Sequence, residues 1–363
     1  MLFEEIFIAV ILSFVVSLYC IPVVIRIALA KRLFDMPDGA RKIHQRPVAP
    51  LGGIAIFVGV SITLGLINSF YWNGVDFSTY MTAMLVLFFL GLKDDLVEVS
   101  PFKKLFGQIL VALFLIFASD VRIDNMYGFF GIYEIPSFVS IIFSIFTIVV
   151  IINSFNLIDG IDGLAGTLGL FSALTFGVYF YLCSNLSLAI LAFAVSASLV
   201  SFLIFNFSPA KLFLGDSGSM QLGLVISILS VQFVRLAPSS SIFPLEASPV
   251  LGFSLILLPL MDTLRVFSIR IVNRRSPFSP DRNHIHHMLL ACSYSHNSIV
   301  LQSVFVSIFF SVIGYFVSLN MSTTIGVLLM ILLFFCYSLF CFLYSNKFKN
   351  ADFNAVHQID KRA

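Results

Sequence analysis

Charge is scarce in this sequence. Only 11% of its 363 residues are Asp, Glu, Lys or Arg, 59% are hydrophobic, and the mean hydropathy is +1.02. A soluble chain carries about 25% charged residues, so a water-soluble globule is excluded. Cys20, Cys183, Cys292, Cys336 and Cys341 are odd in number, form no CxxC pair and lie mostly in apolar runs. They exclude a disulfide framework. No internal repeat is visible, and no Pro- or Ser-rich stretch is long enough to separate one domain from another. The first apolar run lacks a basic leader and a small-residue cleavage site, so it is expected to be a retained span rather than a signal peptide.

What the chain has instead is apolar runs, eleven of them, at about 3–25, 51–70, 79–93, 105–121, 138–155, 164–183, 186–206, 217–235, 249–270, 298–319 and 323–345. Most approach the roughly 20 residues that cross a bilayer core as a helix. They are continuous rather than alternating, which excludes a β-barrel. The expected fold is an all-α polytopic membrane protein of about 11 transmembrane helices, with residues 1–345 as one membrane domain and 346–363 as a short tail. One set of loops holds Lys31, Arg32, Arg41, Lys42, Arg46, Lys93, Lys103, Lys104, Lys211, Arg270, Arg274, Arg275, Arg282 and the tail lysines; the other set holds only Arg122 and Arg235. By the positive-inside rule the basic set is cytoplasmic, with the N-terminus periplasmic and the C-terminus cytoplasmic. The cytoplasmic loops also carry all six histidines and most of the acids.

Five cytoplasmic segments stand out. FDMPDGARKIHQRPVAPLGG, residues 34–53, puts His44 and Arg46 among helix-breaking prolines and glycines; lipid headgroups alone could account for its charge. GLKDDLVEVSPFKKLFGQ joins Asp94 and Asp95 to Lys103 and Lys104. Adjacent carboxylates repel, so the pair needs a cation, a proton or solvent. NSFNLIDGIDG places Asn153, Asn156, Asp159 and Asp162 three apart. Steps of three drift by about 60° each on a helix, so neighbours can share a ligand but all four cannot. Gly160 and Gly163 are placed to end the helix. FLGDSGSMQLG sets Asp216 among glycines, as a helix cap or as a ligand to phosphate-bound Mg²⁺, which takes one or two protein oxygens plus phosphate and water. RRSPFSPDRNHIHHMLL holds Arg282, His284, His286 and His287. Its HxHH lacks the further ligand spacing that zinc needs, and Arg282 beside it points to an anion. A divalent cation, paired acids and several Arg/Lys groups are what phosphoryl transfer needs.

Together and in this order, the five motifs resemble the polyprenyl-phosphate N-acetylhexosamine-1-phosphate transferases (glycosyltransferase family 4). Matching stretches run from Asp35 to Leu290, about 70% of the chain. The resemblance implies transfer of a sugar 1-phosphate from a UDP-sugar to undecaprenyl phosphate with release of UMP, using Mg²⁺ or Mn²⁺, in the bacterial inner membrane. It implies UDP-N-acetylhexosamine, undecaprenyl phosphate and membrane lipid as partners and no nucleic acid; a homodimer is admitted. SPDRNHIHHMLL looks like the WecA branch, which uses GlcNAc, because Ile285 interrupts the three consecutive histidines of the MraY branch. PVAPLGG likewise lacks the MraY-type TPTMGG. Position by position, the resemblance makes Asp216 and Asn156 metal ligands, and Asp94, Asp95, Asp159, Asp162 and His284 catalytic. His44, Arg46, Lys104, Asn153, Asn156, Arg282, His286 and His287 become substrate-binding.

An ion-coupled transporter is the rival class, because acids inside spans mark ion paths. Here the acids gather at cytoplasmic ends. The exceptions, Asp262 and Arg265, are three apart on a helix and are expected to pair with each other.

Overall fold

The computed structural model describes residues 2–33, 48–70, 77–277, 279, 281 and 283–360. Its helices are α1 Leu2–Lys31, α2 Gly52–Phe70, α3 Ser78–Leu96, α4 Pro101–Ser119, α5 Ser137–Ile158, α6 Leu164–Leu182, α7 Leu186–Asn206, α8 Gly215–Leu236, α9 Ser248–Ser254, α10 Leu257–Val272, α11 Ile285–Leu290, α12 His296–Asn320 and α13 Thr323–Asp360. Among the described residues, nine helices are long and apolar enough to cross a membrane, or ten if the bent pair α9 and α10 counts as one span. The remaining predicted run, 79–93, is α3, whose last turn carries Lys93, Asp94 and Asp95. Helices suit a lipid setting because every backbone group within them is satisfied internally.

α8 is the central post. Within its span 89% of residues are buried, against 28% in α1, α4 and α13, and it packs on α2, α3, α5, α6 and α9. Its sequence reflects that position: Ser217, Ser219, Gln221, Ser227, Ser230 and Gln232 are all buried. Such small and polar residues let helices approach and bond within a membrane. The outer helices instead show Phe102, Phe106, Phe117, Leu301 and Phe305 to their surroundings. Gly91 of α3 makes one of the close approaches. A Cβ there would lie 2.5 Å from Ser217 Cα, so only glycine lets α3 reach the first turn of α8.

Two features depart from the sequence reading. The ninth run is not one straight span, because α9 and α10 meet at 79°. Pro259 gives the cause: it cannot bond to the carbonyl four residues back, at Leu255, and its ring clashes there. The loop after α4 is also not plain loop. Strands β1 Asn125–Phe129 and β2 Ile132–Glu134 pair antiparallel, with Phe129 opposite Ile132. Phe130 and Gly131 both have positive φ, 51° and 76°, the type I′ turn that suits a two-residue hairpin. An otherwise all-α fold thus carries one short ribbon. It contacts the start of α13, where Thr323 Oγ1 donates to the Tyr127 carbonyl.

Candidate active site

The site is built around the first turn of α8. Val48–Gly53 runs beside 212–214: Phe213 N–H donates to Ala49 O at 2.9 Å, Gly52 N–H to Phe213 O at 2.8 Å, and Gly53 N–H to Leu214 O at 2.9 Å. Two of the sequence motifs are thereby stitched together. Gly215 then turns the chain with φ +73°, and a Cβ there would sit 2.9 Å from both Asp95 carboxylate oxygens. Those oxygens accept the N–H groups of Asp216 at 2.6 Å and Ser217 at 3.0 Å. Asp95 therefore caps α8 from a neighbouring helix, satisfying donors that the helix itself leaves free.

Asp216 faces the other way. Its Oδ1 accepts from Asn156 Nδ2 at 2.9 Å, and its Oδ2 pairs with Lys104 Nζ, which also pairs with Asp94. Asp94 in turn accepts from Val99 N–H at 2.6 Å. Asn156 Nδ2 also reaches Ser219 Oγ at 2.9 Å, so its amide nitrogen is committed and its oxygen is left as a donor atom. α5 ends at Ile158, and half-buried Asp159 follows. Burial, then the charges of Asp216, Asp95 and Asp162, push the Asp159 carboxyl up to about 8. Among the described residues, one lysine faces this much negative charge.

The remaining members of the NSFNLIDGIDG series diverge, as the 60° drift requires. Asn153 Nδ2 bridges to Gln108 Oε1 on α4 at 2.7 Å. Asp162 is buried and accepts from Ala210 N–H at 3.2 Å, with His296 Nδ1 at 3.3 Å. Gly163, at φ +81°, starts the turn into α6.

The histidine segment closes another side. His284 Nδ1 lies 2.8 Å from Asp262 Oδ2, whose second oxygen accepts from Arg265 Nη2 at 2.7 Å. His286 packs beside Gly160 and stacks on His284 with ring centroids 5.5 Å apart; His287 is 4.2 Å from it. Burial and then the neighbouring imidazoles push His286 down to about 3, so it is neutral at physiological pH. Neither of its ring nitrogens has a partner among the described residues. Arg270 Nε holds Asp281 at 2.8 Å. Burial alone would raise that carboxyl, yet Arg270 and Asn283 hold it at about 2.

Residues 77–234 match the Glycosyl transferase family 4 model. A probable undecaprenyl-phosphate N-acetylglucosaminyl 1-phosphate transferase of Bacillus subtilis is 32% identical over 318 residues, covering 85% of both chains. The chain belongs to glycosyl transferase family 4. An undecaprenyl-phosphate alpha-N-acetylglucosaminyl 1-phosphate transferase of Haemophilus influenzae is 31% identical over 291 residues, 78% of each chain. Its counterpart in Yersinia pestis is 28% identical over 277 residues, 74% of this chain and 73% of the relative.

In this family 4 member the structure brings Asp94, Asp95, Lys104, Asn156, Asp159 and Asp216 together, with His286 against Gly160 and His284 and His287 packed on His286. Asn153 and Asp162 are engaged in helix packing beside them. His44, Arg46 and Arg282 lie outside the described residues. Sequence reading missed that Asp262 joins His284 and that Ser219 and Gln108 hold the two asparagines; contacts across 22 to 63 residues leave no mark in local spacing. Among the described residues no three Asp, Glu, His or Cys side chains form a ready-made ion cage. The donor set still fits Mg²⁺: hard oxygens on Asp216 and Asn156 and, among the described residues, more carboxylates than cations, for an ion that takes one or two protein oxygens and completes its shell with phosphate and water. An apolar groove lies between Phe146 and Val150 of α5, Val231 of α8, and Phe253, Leu260 and Leu264 of the bent pair.

Proposed function

We propose that this chain transfers N-acetylglucosamine 1-phosphate from UDP-GlcNAc to undecaprenyl phosphate, releasing UMP, on the cytoplasmic side of a bacterial inner membrane. The acceptor and the transferred group follow the names of the relatives. The observation that carries the reading is the cluster of Asp94, Lys104, Asn156 and Asp216 at one end of the helix bundle. There a soluble nucleotide sugar and a lipid phosphate can meet. The eleven-span topology with the basic loops inside belongs to the same proposal.

Asp216 and the Asn156 oxygen would hold Mg²⁺, with Mn²⁺ as a substitute, and an ion so held supplies charge neutralisation and polarises the diphosphate. Lys104 shields Asp94 and Asp216 from each other and is a cation for an incoming phosphate. Asp94 orients the lipid phosphate. A strong base is not required, since a phosphate's second pKa is near 6. A lipid phosphate oxygen attacks the phosphorus that bears the sugar. The new P–O bond forms as the P–O bond to UMP breaks, and UMP leaves with that electron pair. The apolar groove beside the bent pair is the proposed seat of the prenyl chain.

A transporter is disfavoured because Asp262, the acid deepest in a span, is fully buried and paired with Arg265 and His284. Purified protein given UDP-GlcNAc, undecaprenyl phosphate and Mg²⁺ is expected to release UMP, and UDP-MurNAc-pentapeptide is expected to give none. Release of UMP from the latter alone would favour the MraY-type reaction. No UMP from any UDP-N-acetylhexosamine would reject the transferase.

A further inference from the structure

Asp262 is fully buried and His284 is 4% exposed, so their bond is shielded from water. A carboxylate only accepts hydrogen bonds. Paired with the Arg265 guanidinium, Asp262 is ionised, and the proton in its 2.8 Å bond to His284 therefore sits on Nδ1. Arg265 is itself fixed, donating to Asp262 Oδ1 at 2.7 Å and to the Asn283 carbonyl at 2.6 Å. Ile285 N–H also faces both carboxylate oxygens, at 3.3 and 3.4 Å. Arg265 already pairs with Asp262, and with Nδ1 turned to the carboxylate, Nε2 is the ring nitrogen left to meet a ligand. Among the described residues Nε2 has no hydrogen-bond partner. The ring lies against His286, which touches the Asp159–Gly160 turn.

We propose that Asp262 is a positioning residue: it fixes His284 with the proton on Nδ1 and so presents Nε2 as a hydrogen-bond acceptor to a hydroxyl or N–H group of the nucleotide sugar. The inference rests on the transferase reading. A lone pair repels phosphate oxygens, so the partner of Nε2 must be a donor, and the nucleotide sugar carries such groups while the lipid phosphate head carries few. The same chemistry explains the order of the cluster: arginine sets the carboxylate, the carboxylate sets the tautomer, and the tautomer sets what the ring can read.

Asp262→Asn tests this without changing shape. Arg265 still donates toward the Oδ1 position, so the new carbonyl faces Arg265 and the new NH₂ faces Nδ1. Nδ1 must then accept, the proton moves to Nε2, and the acceptor is lost. With ¹⁵N-labelled histidine, the wild type is expected to show Nδ1 protonated and Nε2 bare, and D262N the reverse. KM for UDP-GlcNAc is expected to rise about tenfold or more, the scale of a hydrogen bond replaced by an unsatisfied buried donor. KM for undecaprenyl phosphate should hold, and kcat should fall much less. In D262N/R265M the amide is free to turn its carbonyl back to Nδ1, so the tautomer and most of the KM should recover. That double variant buries no charge and carries the test if D262N fails to fold. A protonated Nε2 in the wild type would overturn the proposal, as would an unchanged KM in D262N or no recovery in the double variant. Absence of UMP from the wild type rejects the transferase reading, whereas the ¹⁵N spectra decide the tautomer without turnover.

Discussion

Asp216 and Asp159 are close in space and opposite in electrostatic condition. Asp216 is met by Lys104 and Asn156; without its charge Lys104 still has Asp94 and Asn156 still has Ser219. Asp216→Asn keeps the shape and is expected to cut UMP release at least about a hundredfold, the scale of losing one preorganised electrostatic group, with thermal stability little altered. Near-normal turnover would remove Asp216 from the centre of the site. Asp159 meets no cation among the described residues, and its carboxyl is raised from 3.8 to about 8 in the folded chain. Across that window the folded protein holds a proton that the unfolded chain has released, so stability falls as pH rises and levels off above about pH 8. Asp159→Asn abolishes this slope. In divalent-free buffer its Tm should gain on the wild type steadily from about pH 5 to pH 8 and then run parallel. A constant Tm difference would mean that Asp159 titrates normally.

Two adjacent acids at the end of α3 serve different elements. Asp95 caps α8, and Asp94 joins Lys104 at the start of α4. Asp95→Ala leaves two N–H groups of α8 unmet and should cost about 1–2 kcal/mol of stability, as lost caps do, together with activity. Asp94→Asn should spare stability and lower activity. Denaturation midpoints alongside UMP rates separate the two, and equal midpoints would contradict the cap. The DD pair itself was legible in the sequence, as a charge problem at a helix end; its division of labour was not, because Asp95 acts on a helix 121 residues away. The bend in the ninth run was within reach, since Pro259 lies inside it and forbids a bond to Leu255. The β ribbon was less so. Its turn is Phe130-Gly131, and Phe at a positive φ is an unusual residue for that place.

For the molecule as a whole, apolar run length was enough to read a helical multi-pass membrane fold, because a bilayer core imposes a length that soluble packing does not, but not the break within the ninth run. The five motifs announced a shared site, and the geometry supplies what spacing lacked. Backbone pairing joins Ala49 to Phe213, Asp95 joins α3 to α8, and Asp262 joins α10 to the histidines. All of these converge on one end of the bundle, and an apolar groove runs along α5 and the bent pair between the β ribbon and Leu264. The proposed reaction makes a definite claim about which bond breaks: phosphate must travel with the sugar. The most direct measurement uses UDP-GlcNAc carrying ³²P in its sugar-bearing phosphate, incubated with the purified protein, undecaprenyl phosphate and Mg²⁺, followed by organic extraction. The account predicts label in the lipid phase and unlabelled UMP in the water phase. Label remaining in water as UDP, with sugar alone on the lipid, would contradict it.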